Sequence, residues 1–129
     1  MKNKQALHVR YPIGTVVTID TECVGNSVGA KGVVFEHYTI GDTPGLSVLF
    51  ENGRYDGFGE FCVEAFGLHK VATTRYLQNY EFISVLQLQE DFERGFFDAA
   101  LQRCNPHTIA TTGSISKRGV LSNLGQFCV

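Results

Sequence analysis

Apolar and polar residues alternate along the first half of the chain in the way that β-strands require. In residues 14–20, one side of the strand carries Val17 and Ile19, and the other carries Val16, Thr18 and Asp20. In residues 31–40, one side carries Val33, Phe35 and His37, and the other carries Val34, Glu36 and Tyr38. This period of two predicts two half-buried strands.

Turn-forming residues then divide the chain into three further short strands. Residues 41–45 combine Gly, Asp, Thr and Pro and are typical of a loop, and residues 46–51 follow as a third strand. Asn52-Gly53 predicts a hairpin with a type I′ turn, because that turn needs positive φ at both central residues. Residues 54–58 and 61–66 are predicted as the fourth and fifth strands. Five short strands joined by tight turns indicate a closed or nearly closed small barrel.

Glycine punctuates the first two strands at a regular spacing. The chain reads Gly14-x-x-Val17-x-Ile19 and then Gly25-x-x-x-Gly29-x-x-Gly32-x-Val34. Glycines so placed let a chain reverse at positive φ without a Cβ penalty. These 21 residues resemble the KOW motif of SH3-like barrels, a family that includes ribosomal proteins and transcription-elongation factors. The resemblance implies a five-stranded SH3-like barrel with an RNA-contacting loop, in which Lys31 is the only basic residue.

The second half of the chain has the period of a helix. Ser84 is a good N-cap, Gln87 completes a capping box, and Ile83 and Leu88 are spaced as a hydrophobic staple. One apolar stripe at spacings of three and four consists of Val85, Leu88, Phe92, Phe96 and Ala99. Glu90, Asp91 and Glu93 lie early in this helix, where they offset its dipole, so we predict no metal site there.

Gly95 interrupts this helical pattern, and glycine costs about 1 kcal/mol against alanine in a helix interior. The helix therefore either lies close on the barrel at Gly95 or consists of two shorter pieces, and Asn105-Pro106 ends it. We predict a mainly β protein with an appended helix (α+β). Residues 1–69 form the barrel, residues 70–104 an ambiguous connector plus the amphipathic helix, and residues 105–129 a polar, partly docked tail.

Charge is unevenly distributed along the 129 residues, whose net charge is −2. Residues 1–69 contain five Lys or Arg against eight Asp or Glu, giving −3, and the remaining residues carry +1. Nucleic-acid binders usually present a basic stripe, so the acidic barrel disfavours that class. No apolar run has the length of a membrane span or of a signal peptide core, and we expect a cytoplasmic protein.

The sequence shows no convergent catalytic or cofactor motif. The four cysteines lack the close pairing of zinc sites, and we interpret Cys62 and Cys104 as small packed hydrophobes. Cys62 with His69 or His37, oriented by Asp56, is the one triad that can be imagined, and its spacing is not specific. We predict no enzymatic activity, no cofactor and no metal.

An acidic and aromatic hairpin, residues 51–60, is the strongest candidate for a binding surface. Aromatic rings at such a hairpin can form the floor of a groove, while acids select basic groups of a partner. The residues predicted to bind a protein or peptide partner are Tyr38, Tyr55, Asp56, Phe58 and Glu60. The alternative interpretation is that Phe58 and Phe61 belong to the core and that the acids are merely solvated.

Two further hypotheses come from other functional classes. RNA or single-stranded DNA binding would use Lys31, Arg54, Lys117 and Arg118. Self-association as a structural protein would use a spare helical stripe, in which Phe97 and Ala100 lie beside Phe96 and contact a second copy of the chain.

Overall fold

The computed structural model describes residues 6–104. Its elements are α1 (Leu7–Arg10), β1 (Thr15–Thr18), β2 (Lys31–Ile40), β3 (Thr43–Phe50), β4 (Tyr55–Gly59), α2 (Glu60–Ala65), β5 (His69–Thr73), α3 (Val85–Glu93) and α4 (Phe96–Cys104). The strands form one antiparallel sheet in the order β4-β3-β2-β1-β5. Within the described residues the edge strands β4 and β5 do not pair, so this is a sheet and not a closed barrel. No helix in this part of the chain is long and apolar enough to cross a membrane.

Both faces of the sheet are covered. The first core, which α1 and α2 cover, includes Leu7, Tyr11, Val17, Ile19, Val34, Leu46, Val48, Phe50, Phe58 and Val63. The second core, which α3 and α4 cover, includes Val16, Val33, Phe35, Leu49, Tyr55, Leu77, Leu88, Phe92, Phe97 and Leu101. Neighbouring residues of β1 and β2 thus enter opposite cores, as the predicted alternation requires.

The alternation predicted for β2 fails after Phe35. The register shifts between Val34 and Glu36, which marks a β-bulge. Glu36 then accepts a hydrogen bond from the Ser47 hydroxyl, and His37 donates to the carbonyl of Tyr11. His37 therefore contacts the segment after α1 and does not continue the row of Val33 and Phe35, because the extra residue reverses the facing of those that follow.

One strand prediction is wrong, and another strand begins earlier than predicted. Residues 61–66 fall largely in α2, where Cys62 and Val63 are buried and Phe61 is 80% exposed. A short apolar run cannot be told from a helix by periodicity alone. The fifth strand is instead β5, in the segment whose sequence was ambiguous. The third strand begins earlier than predicted, at Thr43, because Gly41 and Asp42 alone make the turn.

The hairpin predicted at Asn52-Gly53 is confirmed, but not its turn type. Gly53 has a φ of 91°, and its N–H donates to Phe50 O at 2.9 Å. Val24 is the only non-glycine residue of positive φ in the described part of the chain, so Asn52 does not meet the type I′ requirement. Two successive left-handed residues occur instead at Val24 and Gly25, where Cys23 and Asn26 exchange backbone hydrogen bonds.

The long helix is two pieces, as one of the two readings of Gly95 predicted. Gly95 has a φ of 81° and separates α3 from α4. The Ser84 cap is confirmed, since its side chain accepts the Gln87 N–H, whereas Ile83 is exposed and forms no staple. The break also turns the buried face of α4. Phe97 and Ala100, predicted as a spare stripe for self-association, are buried in the second core.

A buried carboxylate ties α3 to the segment before it. Asp91 accepts hydrogen bonds from the Tyr80 hydroxyl at 2.9 Å, the Gln87 amide at 3.0 Å and the Arg94 guanidinium at 2.9 Å. Burial, together with this bond to Asp91, raises the pKa of Tyr80. Tyr80 is therefore held as a hydroxyl donor, and the chain between β5 and α3 is fixed against the helix.

Two stacked histidines attach α1 to the sheet. The rings of His8 and His37 lie 4.3 Å apart between centroids at 7°. The Nε2 of His8 lies 2.9 Å from Gly45 O, and that of His37 lies 2.7 Å from Tyr11 O. Because a carbonyl can only accept, each Nε2 carries the hydrogen. His8 of α1 thus donates a hydrogen bond to Gly45 of β3, and the Tyr11 carbonyl at the end of α1 accepts one from His37 of β2.

At Gly14, the residue before β1, the backbone lies directly against the chain after β5. It has a φ of 93°, its carbonyl accepts the Thr74 N–H at 3.0 Å, and a Cβ there would lie 2.6 Å from Thr74 O. Gly29 has a nearly equal φ of 91° with nothing within 4 Å. The two positions thus separate backbone strain from close contact.

We expect Gly29→Ala to lower the free energy of unfolding by about 1–2 kcal/mol, the cost of the left-handed conformation. Gly14→Ala should cost clearly more, because the new methyl group must also displace Thr74. Urea denaturation of both variants beside the wild type measures the difference. Equal losses would mean that the Gly14–Thr74 contact places no constraint on the fold.

We expect stability to fall as the pH is lowered below 6.5, the ordinary pKa of histidine. Burial, which outweighs the raising effect of the Tyr11 hydrogen bond, lowers the pKa of His37 in the folded state, with a further lowering by His8. The unfolded chain therefore binds the proton first, and stability present above 6.5 is lost towards the folded pKa. Urea midpoints across this range should show a shallower pH slope in His37→Gln. An unchanged slope would contradict this assignment.

Candidate functional site

Three of the five residues predicted to bind a partner are buried. Tyr55, Asp56 and Phe58 are 3%, 1% and 0% exposed. Phe58 belongs to the first core and Tyr55 to the second. Asp56 accepts its own neighbour's N–H, from Gly57, and the Cys23 thiol at 3.5 Å. These three residues are interior because the sheet is covered on both faces, so they form no open binding groove.

The other two predicted binding residues are half-buried and lie in contacts within the chain. The Tyr38 ring covers Gly45, where a Cβ would strike it. Glu60 binds the Arg10 guanidinium through both carboxylate oxygens, which joins α2 to α1. Arg10 of the same chain thus already occupies the position expected for a partner's basic group.

The predicted nucleic-acid residues are not gathered into one stripe. Lys31 and Arg54 are half-buried. The Arg54 guanidinium donates to Val24 O at 3.3 Å and thereby holds the glycine-rich loop against the β3–β4 hairpin. Lys117 and Arg118 lie outside the described residues. Arg54 therefore has a structural contact where a phosphate contact was expected.

The residues of the imagined triad have other partners. His37 donates to Tyr11 O, Asp56 accepts from Cys23, and the ring of the exposed His69 faces Gly67 O. Cys62 is buried, as expected of a packed thiol, whereas the side chain of Cys104 is outside the description. Across residues 6–104, no three His, Cys, Asp or Glu side chains are grouped so as to hold a metal.

A different surface, which we call the arginine groove, lies at the end of β5. It has a volume of about 460 Å³ and is lined by Thr73, Thr74, Arg75, Tyr76 and Arg103. The first four follow one another along the chain, and Arg103 reaches the same groove from the last turn of α4. Residues almost thirty positions apart in sequence thus meet where β5 ends.

Backbone contacts hold the groove segment firmly. The Thr74 N–H donates to Gly14 O, and the Thr74 hydroxyl oxygen accepts the Tyr76 N–H at 3.1 Å. The Arg75 carbonyl accepts the Gln78 N–H at 3.1 Å, and Leu77, which lies within this turn, is buried in the second core. Arg75 therefore sits on a tight turn that is anchored on both sides.

Aromatic stacking orients Arg103. Its guanidinium lies 4.6 Å from the centre of the Tyr76 ring, within the range of a cation–π contact. The ring centres of Tyr76 and Phe96 lie 5.0 Å apart, and those of Phe96 and Tyr80 lie 5.5 Å apart. The Tyr80 hydroxyl is in turn bound by Asp91. The stack thus extends from the groove into the second core and restricts the guanidinium to one face of Tyr76.

Among the described residues, the lining of the arginine groove consists of cations and hydroxyl groups, with no carboxylate. Neither Arg75 nor Arg103 forms an ion pair with a described residue, whereas Arg10 and Arg94 are paired with Glu60 and Asp91. Each guanidinium presents five N–H donors and no acceptor. The groove therefore suits a ligand that brings negative charge and several acceptor oxygens.

A second groove continues from the first. It has a volume of about 420 Å³, shares Thr73, Thr74 and Arg75, and extends to Pro12, Ile13 and Gln78. Ile13 also packs against both cores, so this extension is a firm, partly apolar shelf. The two grooves thus form one continuous surface on either side of Thr73, Thr74 and Arg75.

Sequence reasoning missed this site. Arg75 was placed in a segment of ambiguous structure, and Arg103 near the end of a helix without a role. The only available signal was the excess of positive charge in the second half of the chain, which says nothing about where the charges meet. Their convergence depends on β5 pairing with β1 and on α4 packing across the same end of the sheet.

No family model, curated protein or solved structure matches the chain. The case for the site therefore depends on its own geometry and charge.

We expect Tyr76 and Arg103 to be energetically coupled in the unliganded protein. A double-mutant cycle with Tyr76→Ala and Arg103→Ala, followed by urea denaturation, should give a coupling of about 0.5–1 kcal/mol, as for exposed cation–π pairs. Lys70→Ala is the matched control, since Lys70 is an exposed cation of β5 that does not line the groove. The control cycle combines Tyr76→Ala with Lys70→Ala and should be additive. If the cycle with Arg103→Ala is additive as well, the stack does not hold Arg103.

Proposed function

We propose that this protein is a non-enzymatic module that binds an acidic segment of a protein or peptide partner in the arginine groove. The observation that carries the proposal is the presence, in one groove, of two arginines that form no ion pair with a described residue and have no carboxylate among the described lining residues. Peptide recognition by arginine clusters is a recurring mode of binding to acidic motifs. The partner's charge is thus opposite to the one that the hairpin hypothesis required.

We further propose that the sheet is an opened variant of the SH3-like barrel that the glycine pattern resembles. Three features support this: the consecutive β2-β3-β4 meander, the short helix α2 between β4 and β5, and the pairing of β5 with β1. The order β4-β3-β2-β1-β5 brings the chain back beside its first strand. Such small barrels host many functions, so the fold does not itself argue for a ligand.

RNA or single-stranded DNA binding is the second candidate, and one observation favours it. Tyr76 with two arginines is a combination that can stack a base and contact a phosphate. The net charge of the chain argues against nucleic-acid binding. Affinity for nucleic acid grows with the number of phosphates neutralised, and the chain is net negative. We therefore favour the protein partner.

The test is a display library of random peptides panned against the folded protein at about 50 mM salt, where charge contacts are strong. We expect enrichment of peptides that contain Asp or Glu. Anisotropy titration of an enriched peptide should show that Arg75→Gln and Arg103→Gln each weaken binding by about tenfold or more, the value of a charge-assisted hydrogen bond. Lys70→Gln removes an exposed cation of β5 outside the groove and should bind like the wild type.

Two results would contradict the proposal. Enriched peptides that lack acidic residues, or whose binding survives both groove substitutions, would place the site elsewhere. Binding of a labelled single-stranded oligonucleotide at the same salt, with no peptide enriched and with affinity falling steeply as salt rises, would favour the nucleic-acid candidate. Circular dichroism and urea midpoints of each variant establish that it is folded.

A further inference from the structure

We propose that the arginine groove recognises a phosphorylated side chain of the partner, with the phosphoryl group between Arg75 and Arg103. This inference rests on the proposed function, because it specifies the acidic group that the partner presents. Phosphoserine, phosphothreonine and phosphotyrosine share the dianionic group, and the adjoining residues of a peptide would lie along the second groove.

The charge of the lining is the first argument. Arg75 and Arg103 bring a formal charge of +2 to a groove whose lining, within residues 6–104, contains no carboxylate. A phosphorylated side chain carries about −1.5 to −2 at neutral pH, whereas aspartate or glutamate carries −1. One carboxylate would leave a guanidinium without a counter-charge, and a phosphoryl group neutralises both.

The supply of donors is the second argument. Two guanidinium groups can each make paired hydrogen bonds to phosphate oxygens, and a phosphoryl group offers three acceptor oxygens. The Thr74 hydroxyl oxygen accepts the Tyr76 N–H, so its own hydrogen is directed elsewhere and can be donated to a ligand. A single carboxylate presents only two oxygens to the two guanidinium groups, whereas a phosphoryl group presents three.

Preorganisation is the third argument. Stacking on Tyr76 fixes Arg103, and the turn from Thr74 to Gln78 fixes the backbone of Arg75. Arginine loses considerable side-chain entropy when it is immobilised, and this cost is reduced where packing already restricts it. With the Arg103 guanidinium held by stacking and the Arg75 side chain carried on an anchored backbone, less entropy is lost when both groups bind one anion.

The neighbouring shelf argues for a protein as the carrier of the phosphoryl group. Pro12, Ile13 and Gln78 offer apolar and amide surface directly beside Arg75. A polynucleotide would place further phosphates at regular intervals along that direction and would need further cations, which this shelf does not provide. Free phosphate would bind only at the arginines and would gain nothing from the shelf.

The first arm of the test uses inorganic phosphate alone. Titration into ¹⁵N-labelled protein should shift the Arg75 and Arg103 Nε–H signals and the Thr74 amide saturably, while acetate at equal ionic strength should not. Arg103→Gln should abolish the response, and Lys70→Gln should preserve it. Equal responses to acetate and phosphate would overturn the preference for a phosphoryl group.

The second arm compares three forms of one acidic peptide enriched by panning, with phosphoserine, glutamate or serine at a single position. We expect the phosphoserine form to bind about tenfold or more tightly than the glutamate form at neutral pH, since an additional charge-assisted pair is formed. Its affinity should fall as the pH is lowered through about 6, where the phosphoryl group gains a proton, and that of the glutamate form should not. Arg75→Gln should remove the preference.

The outcomes separate the two proposals. Equal binding of the phosphoserine and glutamate peptides overturns the phosphoryl inference and leaves acidic-peptide binding intact. Should panning enrich no acidic peptide while inorganic phosphate still shifts the groove, the proposed protein partner is wrong and the anion site stands. A single-stranded oligonucleotide that displaces phosphate from Arg75 and Arg103, and binds more tightly than every peptide, overturns the assignment of a phosphoprotein partner.

Discussion

Burial on both faces of the sheet is the constraint on which the rest of the structure depends. Val16 and Val17 are neighbours in β1, yet they belong to opposite cores, and Val33 and Val34 do the same in β2. A sheet with apolar residues on both sides is stable only when both are removed from water. Helices α1 and α2 cover one face, and α3 and α4 cover the other. Each of these four helices therefore serves first to remove one face of the sheet from water.

The arginine groove is a consequence of how the second cover is attached. The chain leaves β5, turns through Thr74 to Leu77, and only then reaches α3. That turn is held at one end by Gly14 and at the other by Leu77 in the core, so its polar side chains remain outside while its backbone is anchored on both sides. Local positive charge therefore coexists with a negative chain, because at short range the arrangement of paired and unpaired charges matters more than their sum.

Much of the architecture follows from the sequence when a pattern reports a local event. The alternation in β1, the Asn52-Gly53 hairpin, the Ser84 cap and the break at Gly95 all depend on residues within a few positions of one another. The helix α2 was missed because Cys62 and Val63 suit either a strand or a helix until their neighbours are known. The change of face at Phe35 was missed because a bulge is decided by the partner strand.

Function was less accessible from the sequence, for a related reason. Composition and periodicity determined that the chain is mainly β with an amphipathic helical segment, because burying apolar surface at a fixed period is a property of each segment alone. The sequence also showed that Tyr55, Asp56 and Phe58 lie together along one strand. Only the tertiary structure decided that these residues are interior, and that Arg75 and Arg103 meet in one groove. Burial and charge pairing depend on residues far apart in the chain, and these are brought together only when β5 pairs with β1 and α4 packs across the sheet.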